Sequence, residues 1–175
     1  MAENNISEEL IKEMANLGVI FGHKKSKTHP RMRPYIGASR NEIELLDPQA
    51  TLAGLAKAIE FLKEKVKSGG LVVVVGALPA AREAVKTFAE KFNFPYVTTR
   101  WLGGTLTNFK IINQRLVYYQ DLKAKKESGE LGKYTKKEQL KFNEQIKKLA
   151  EFFDGLINLK RVPDALFVVD INEHD

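Results

Sequence analysis

The chain has 175 residues, 43% of them hydrophobic and 29% charged, which is enough for one medium domain plus a small appendage and too apolar for wholesale disorder. Lysine and arginine number 28 against 22 acids, a net charge of +6 that serves either solubility or a polyanionic partner, depending on where the excess sits. Zero cysteines exclude a disulfide framework, a catalytic thiol and every cysteine-ligated metal, and fit a reducing compartment; residues 1–17 are too polar for a signal peptide, and the most apolar run, residues 71–81, is far short of the roughly 20 residues of a membrane span.

Residues 7–17 are predicted to form a short amphipathic helix. Ser7 is its expected N-cap, Leu10, Ile11, Met14 and Leu17 share one side, and Gly18 ends it. From Phe21 to Arg40 the chain carries Lys24, Lys25, Lys27, Arg31, Arg33 and Arg40 and no acid, so the excess charge of the whole protein is concentrated in this stretch. Pro30 and Pro34 interrupt any helix there, and Tyr35-Ile36 and residues 43–46 read as two short strands around residues 37–41. Residues 52–66 follow a helical period through Leu52, Leu55, Ala56, Ile59, Leu62 and Val66 until Ser68-Gly69-Gly70 stops it.

The continuous β-branched run at residues 71–75 is the mark of a strand covered on both faces of a parallel sheet. Pro79 is expected in the first turn of the next helix, which runs to about Phe92, and residues 95–98 and 166–169 give two more short strands. Helix and strand alternate as in a layered α/β fold with right-handed crossovers. Between Asn108 and Asp154 the stripes Phe109, Ile112, Leu116, Tyr119 and Phe142, Ile146, Leu149, Phe153 are heptad-like. With Gly129 and Gly132 between them and a capping box at Thr135 and Glu138, this segment is predicted to be an antiparallel helical coiled-coil hairpin about 30 Å long. Its excess of lysine is either a solvated face or a surface that contacts nucleic acid or protein.

The three histidines, His23, His29 and His174, lack metal-ligand spacing, and no cofactor is expected. Gly76 follows a strand but is succeeded by Ala77-Leu78-Pro79-Ala80, with no second glycine for a dinucleotide loop and no closing lysine for a phosphate loop. Asp47, Asp170 and Asp175 lie at or after strand ends with no nucleophile or base spaced to partner them, so no catalytic residue is assigned. Two segments stand out instead. The proline-stiffened basic loop offers charge-assisted bonds to phosphate oxygens, with His23 and His29 within it, and reads RNA or DNA by charge and shape. Arg100-Trp101-Leu102-Gly103-Gly104-Thr105 is either a tight corner around the single tryptophan or a close approach to a phosphate backbone, with Thr105 or Thr107 capping the following helix.

Four motifs, in order and spacing, resemble the family of bacterial small-subunit ribosomal protein two: Gly18-Val19-Ile20-Phe21-Gly22-His23, Pro30-Arg31-Met32-Arg33-Pro34-Tyr35-Ile36, Arg100-Trp101-Leu102-Gly103-Gly104-Thr105-Leu106-Thr107-Asn108-Phe109, and Pro163-Asp164-Ala165-Leu166-Phe167-Val168-Val169-Asp170. The resemblance covers essentially the whole chain. It implies a flavodoxin-like three-layer α/β domain, residues 1–107 plus 155–175, with residues 108–154 inserted as the hairpin. It also implies a non-catalytic cytoplasmic protein of the ribosome that binds small-subunit rRNA at the junction of head and body and supports translation, with neighbouring ribosomal proteins, ribosomal protein one among them, as partners. RNA contact is expected at His23, Lys24, Lys25, Lys27, Arg31, Arg33, Arg100, Trp101, Gly103 and Gly104. The sequence departs from the family at Ile20, where a histidine is common, and at Leu78-Pro79, where lysines are usual. The family also continues past Asp170 with a further helix, strand and helical region, so lower stability is expected of this form than of an extended one.

Overall fold

A computed structural model describes residues 2–170, with side chains described from residue 9 onward; His174 and Asp175 lie outside the described residues. The chain divides into two compact units, residues 1–61 and 62–175.

In the first unit, α1 (Ala2–Asn16) starts upstream of Ser7, which is therefore inside the helix and not at its cap. Gly18, at φ +76°, ends it as expected: its N–H reaches the Ala15 carbonyl at 3.1 Å, and the Val19 N–H reaches that of Met14 at 2.9 Å, the paired bonds of a left-handed helix stop. Strands β1 (Phe21–Lys24), β2 (Ile36–Arg40) and β3 (Ile43–Leu46) form an antiparallel sheet in the order β1-β3-β2. The hairpin turn is Asn41-Glu42, both at positive φ, and Gly37 lies inside β2. The turn therefore comes later than residues 37–41. Nothing in the sequence marks β1, because Phe-Gly-His-Lys has no alternation to betray a strand. The next helix, α2 (Pro48–Lys67), carries the division between the units.

The second unit is a three-stranded parallel sheet in the order β5-β4-β6, with β4 (Val72–Val75), β5 (Tyr96–Val97) and β6 (Ala165–Val168). β4 is the middle strand, and all four of its valines are buried. Its alternate side chains serve opposite layers. Val74 packs with Val85 and Ala89 of α3 (Arg82–Phe92). Val73 and Val75 pack with Ile112, Leu116 and Tyr119 of α4 (Phe109–Glu127) and Ile146 and Phe153 of α5 (Lys136–Phe153). The chain is thus mixed α/β, with helices on both faces of a parallel sheet. Two glycines permit close approach: a Cβ on Gly76 would lie 2.6 Å from Val85 Cγ2, and one on Gly155 would strike the Tyr96 carbonyl oxygen. Pro79 falls in the turn before α3, outside its first helical turn; there the Leu78 carbonyl accepts from Ala81 and Arg82.

The connection between α4 and α5 is a 3₁₀ turn (Glu130–Lys133) that buries Leu131, followed by the expected capping box of Thr135 and Glu138. Tyr119, 1% exposed, donates its hydroxyl to Asp154 Oδ1 at 3.0 Å. Lys123 reaches the same oxygen at 3.3 Å, and the Gln120 amide donates to the Ile157 carbonyl. Equal arms closing over residues 128–135 would set Tyr119 beside the middle of α5; it meets the residue just past the end of α5. Burial and the Asp154 carboxylate push the Tyr119 phenol up to about 12. The neutral phenol is the form that the fold holds, so this contribution to stability is complete below the ordinary tyrosine pKa near 10 and disappears as pH rises through about 12. Spectrophotometric titration should show two of the five tyrosines ionising late, Tyr119 and Tyr96, the latter raised by its burial and by Glu90. Tyr119→Phe should remove one of those two late protons and cost about 1 kcal/mol in denaturant unfolding at pH 7.

A polar latch joins the entries to β4 and β6. Asp164 accepts the Leu71 N–H at 2.7 Å and pairs with both terminal nitrogens of Arg161, at 2.8 and 3.1 Å; Arg161 also donates to the Gly69 carbonyl. The Leu71 amide first, and then Arg161, hold the Asp164 carboxyl below the usual aspartate range. A depressed carboxyl contributes stability above its unfolded pKa and loses it as pH falls through the folded one. Asp164→Asn should therefore lower Tm at pH 7, and the gap to the parent should narrow as melts are repeated at pH values falling below the ordinary aspartate pKa of about 4.

Candidate nucleic-acid interface

The basic segment is built by turns and prolines, with no buried side chain among residues 9–61. His23 and Lys24 lie on β1, and Lys25 and Lys27 on a 3₁₀ turn (Lys25–Lys27) that the Thr28 N–H and hydroxyl close onto the carbonyls of Lys25 and Lys24. Arg31 and Arg33 lie on a second such turn (Pro30–Tyr35), which starts at Pro30 and contains Pro34. His29 Nδ1 accepts the Arg31 N–H at 3.2 Å, so this imidazole caps the turn. The ends are pinned: Lys25 N–H donates to the Glu42 carbonyl, Leu46 N–H to that of Ile20, and Asp47 N–H to that of Tyr35.

His23, Lys24, Lys25, Lys27, Arg31 and Arg33 are all exposed. None of these side chains has an ion pair with a described residue. That is the electrostatic state of a surface whose charge the fold leaves uncompensated, and surfaces of that kind can bind polyanions by counterion release. Tyr35 is 52% exposed, so it is a surface ring and not a core one. Lys24 and Lys25, together with Ser26 and Glu42, line a notch of about 350 Å³. Sequence reasoning passes over Ser26 and Glu42; the only signal for Glu42 is its place beside Asn41 between two strand-like runs.

The second predicted group, Arg100, Trp101, Gly103 and Gly104, belongs to the other unit. Arg100 is exposed, and Trp101 is half-buried against the core that α4 and α5 share with the sheet. Thr105, 1% exposed, donates its hydroxyl to the Leu102 carbonyl at 2.7 Å. It thus closes the corner and does not cap α4, whose N-cap position is Asn108 with no side-chain cap bond. Gly104 has φ +88°, whereas a Cβ on Gly103 would meet open space. The two glycines therefore separate structure from approach. Gly104→Ala should destabilise the protein by about 1 kcal/mol, and Gly103→Ala should leave Tm unchanged. A loss of RNA affinity in Gly103→Ala would mark the backbone there as a contact surface.

Residues 14–175 match the family model described as Ribosomal protein S2. The chain belongs to the ribosomal protein S2 family. Among curated relatives it is 42% identical over 160 residues to the small ribosomal subunit protein uS2 of Roseiflexus sp. (strain RS-1), covering 91% of this chain and 61% of the relative. It is 39% identical over 163 residues to uS2 of Thermus thermophilus, covering 93% and 64%. With uS2 of Rhodopirellula baltica it shares 38% over 165 residues, covering 94% and 64%. The chain thus spans less than two thirds of the length of these relatives.

Proposed function

We propose that this chain is a non-catalytic, structural constituent of the small ribosomal subunit that binds small-subunit rRNA and supports translation in the cytoplasm. One observation carries the reading. Lys24, at the end of β1, Lys25 and Lys27, on the first turn, and Arg31 and Arg33, on the second, proline-containing turn, are exposed and without an ion pair among the described residues, on a backbone pinned by hydrogen bonds. A pre-ordered cationic surface loses little entropy on docking to phosphates, and phosphate contacts position a protein on RNA without reading its sequence. Family membership and the relatives named uS2 support the ribosome as the place; the docking region in this reading is the junction of head and body.

Within this reading, His23, Lys24, Lys25, Lys27, Arg31 and Arg33 are the phosphate-facing group, and the corner of Arg100, Trp101, Gly103 and Gly104 is a second approach, offered through Arg100 and Gly103 while Trp101 and Gly104 hold its shape. The body is a flavodoxin-like domain of residues 1–107 and 155–175. Residues 108–154 act as a coiled-coil hairpin whose exposed lysines meet rRNA or neighbouring small-subunit proteins, ribosomal protein one among the candidate partners. Lys125, Lys126, Lys136 and Lys137, exposed and without ion pairs among the described residues, support that assignment.

The test is binding to small-subunit rRNA across a salt series. Replacing Lys24, Lys25, Arg31 and Arg33 together with alanine should lower affinity, reduce the slope of log K against log salt by about 0.7–0.9 per lost contact, and leave the unfolding free energy within about 1 kcal/mol of the parent, since no buried contact is removed. An unchanged slope would remove the phosphate assignment.

A further inference from the structure

The notch beside the basic turn contains one group that phosphate binding does not explain. Glu42 lines it with Lys24, Lys25 and Ser26. A carboxylate beside two lysines weakens the attraction of a phosphate, so on electrostatic grounds alone Glu42 opposes the surface it belongs to. It also opposes its own backbone. Glu42 is the second residue of the two-residue turn between β2 and β3, at φ +64°, where the mirror-image hairpin turn strongly prefers glycine. Nothing in the fold compensates: the carboxylate has no ion pair or side-chain hydrogen bond with a described residue. Only its main chain is tied down, by the Lys25 N–H bonding to the Glu42 carbonyl at 2.9 Å. That bond fixes the side chain's origin at the wall of the notch.

Among the groups an RNA strand presents, one matches a carboxylate that shares a notch with cations. The Watson–Crick edge of guanine offers two parallel N–H donors, at N1 and N2, the pattern a carboxylate accepts with both oxygens. Adenine and cytosine each offer an amino group beside an acceptor nitrogen that the carboxylate repels, and uracil offers one N–H flanked by carbonyls. A cavity of about 350 Å³ admits an unstacked base, and RNA is read chiefly at such unpaired bases. We propose that this notch holds an unpaired guanine of the bound RNA, with Glu42 on its Watson–Crick edge and Lys24 and Lys25 on its flanking phosphates. The assignment rests on the reading of the two lysines as RNA contacts.

The experiment is fluorescence anisotropy of the full chain with labelled single-stranded uridine heptamers carrying one central guanine, adenine or inosine; inosine lacks the N2 amino group. The guanine strand should bind about tenfold more tightly than the adenine strand, with inosine between them. Glu42→Gly removes the left-handed strain, so it folds at least as well as the parent, and it should bind all three strands alike. Lys24→Ala/Lys25→Ala should weaken all three while keeping their order. If Glu42→Gly instead tightens all three by one factor, Glu42 is only a repulsive charge and the guanine assignment alone is overturned. A lysine variant that binds like the parent, or a parent that binds none of the strands at low salt, overturns the phosphate reading and this assignment with it.

Discussion

The second unit depends on β4 having no side exposed to water. A strand of four consecutive valines can be satisfied only if both faces and both edges are covered, because each buried valine contributes roughly 1.5–3 kcal/mol and each unpaired backbone group in the same place would cost a comparable amount. The chain meets the first demand by sending α3 to the face of Val74 and the pair α4 and α5 to the face of Val73 and Val75. It meets the second with parallel partners, pairing Val74 with Tyr96 on one edge and Val72 with Ala165 on the other. Gly76 and Gly155 follow from this arrangement, since each stands where an element approaches another too closely for a side chain. The Asp164–Arg161 latch serves it too, by tying the entries of β4 and β6 together with charge-assisted bonds.

Residues 1–61 are held by different means. Their described side chains include none that is buried, and their order comes from a glycine helix stop, a two-residue hairpin turn, prolines in a 3₁₀ turn and backbone bonds that close each loop on its neighbour. Such a surface is stiff where it is hydrogen-bonded and cationic where it is exposed. Those are the properties that favour contact with a charged polymer over burial of a small molecule. The absence of acids between Phe21 and Arg40 matters as much as the presence of lysines, because internal ion pairs would have neutralised the charge within the fold.

The match to the ribosomal protein S2 family runs through both units. In the second unit, the motif Arg100-Trp101-Leu102-Gly103-Gly104 is largely structural. Trp101 belongs to the core shared by α4, α5 and the sheet, Thr105 closes the corner, and Gly104 supplies the left-handed backbone. Arg100 and Gly103 alone have no evident structural duty.

Periodicity and punctuation determined most of the local structure from sequence. The buried valine strand, α2, the capping box at Thr135 and Glu138, the glycine stops and the cationic stretch were all legible, because each depends on residues close together in the chain. Family membership was legible for the same reason, through contiguous motifs. What only the tertiary structure decided were features made by residues far apart: Tyr119 meeting Asp154 beyond the end of α5, Asp164 reaching back to Leu71, and Glu42 closing a notch with Lys24 and Lys25. Caps divided along the same line. Thr135 caps α5 through a neighbour three residues away, whereas Thr105 turns from α4 to close the Leu102 corner, because the packing of Trp101 and the left-handed Gly104 set the path of the chain before the helix begins.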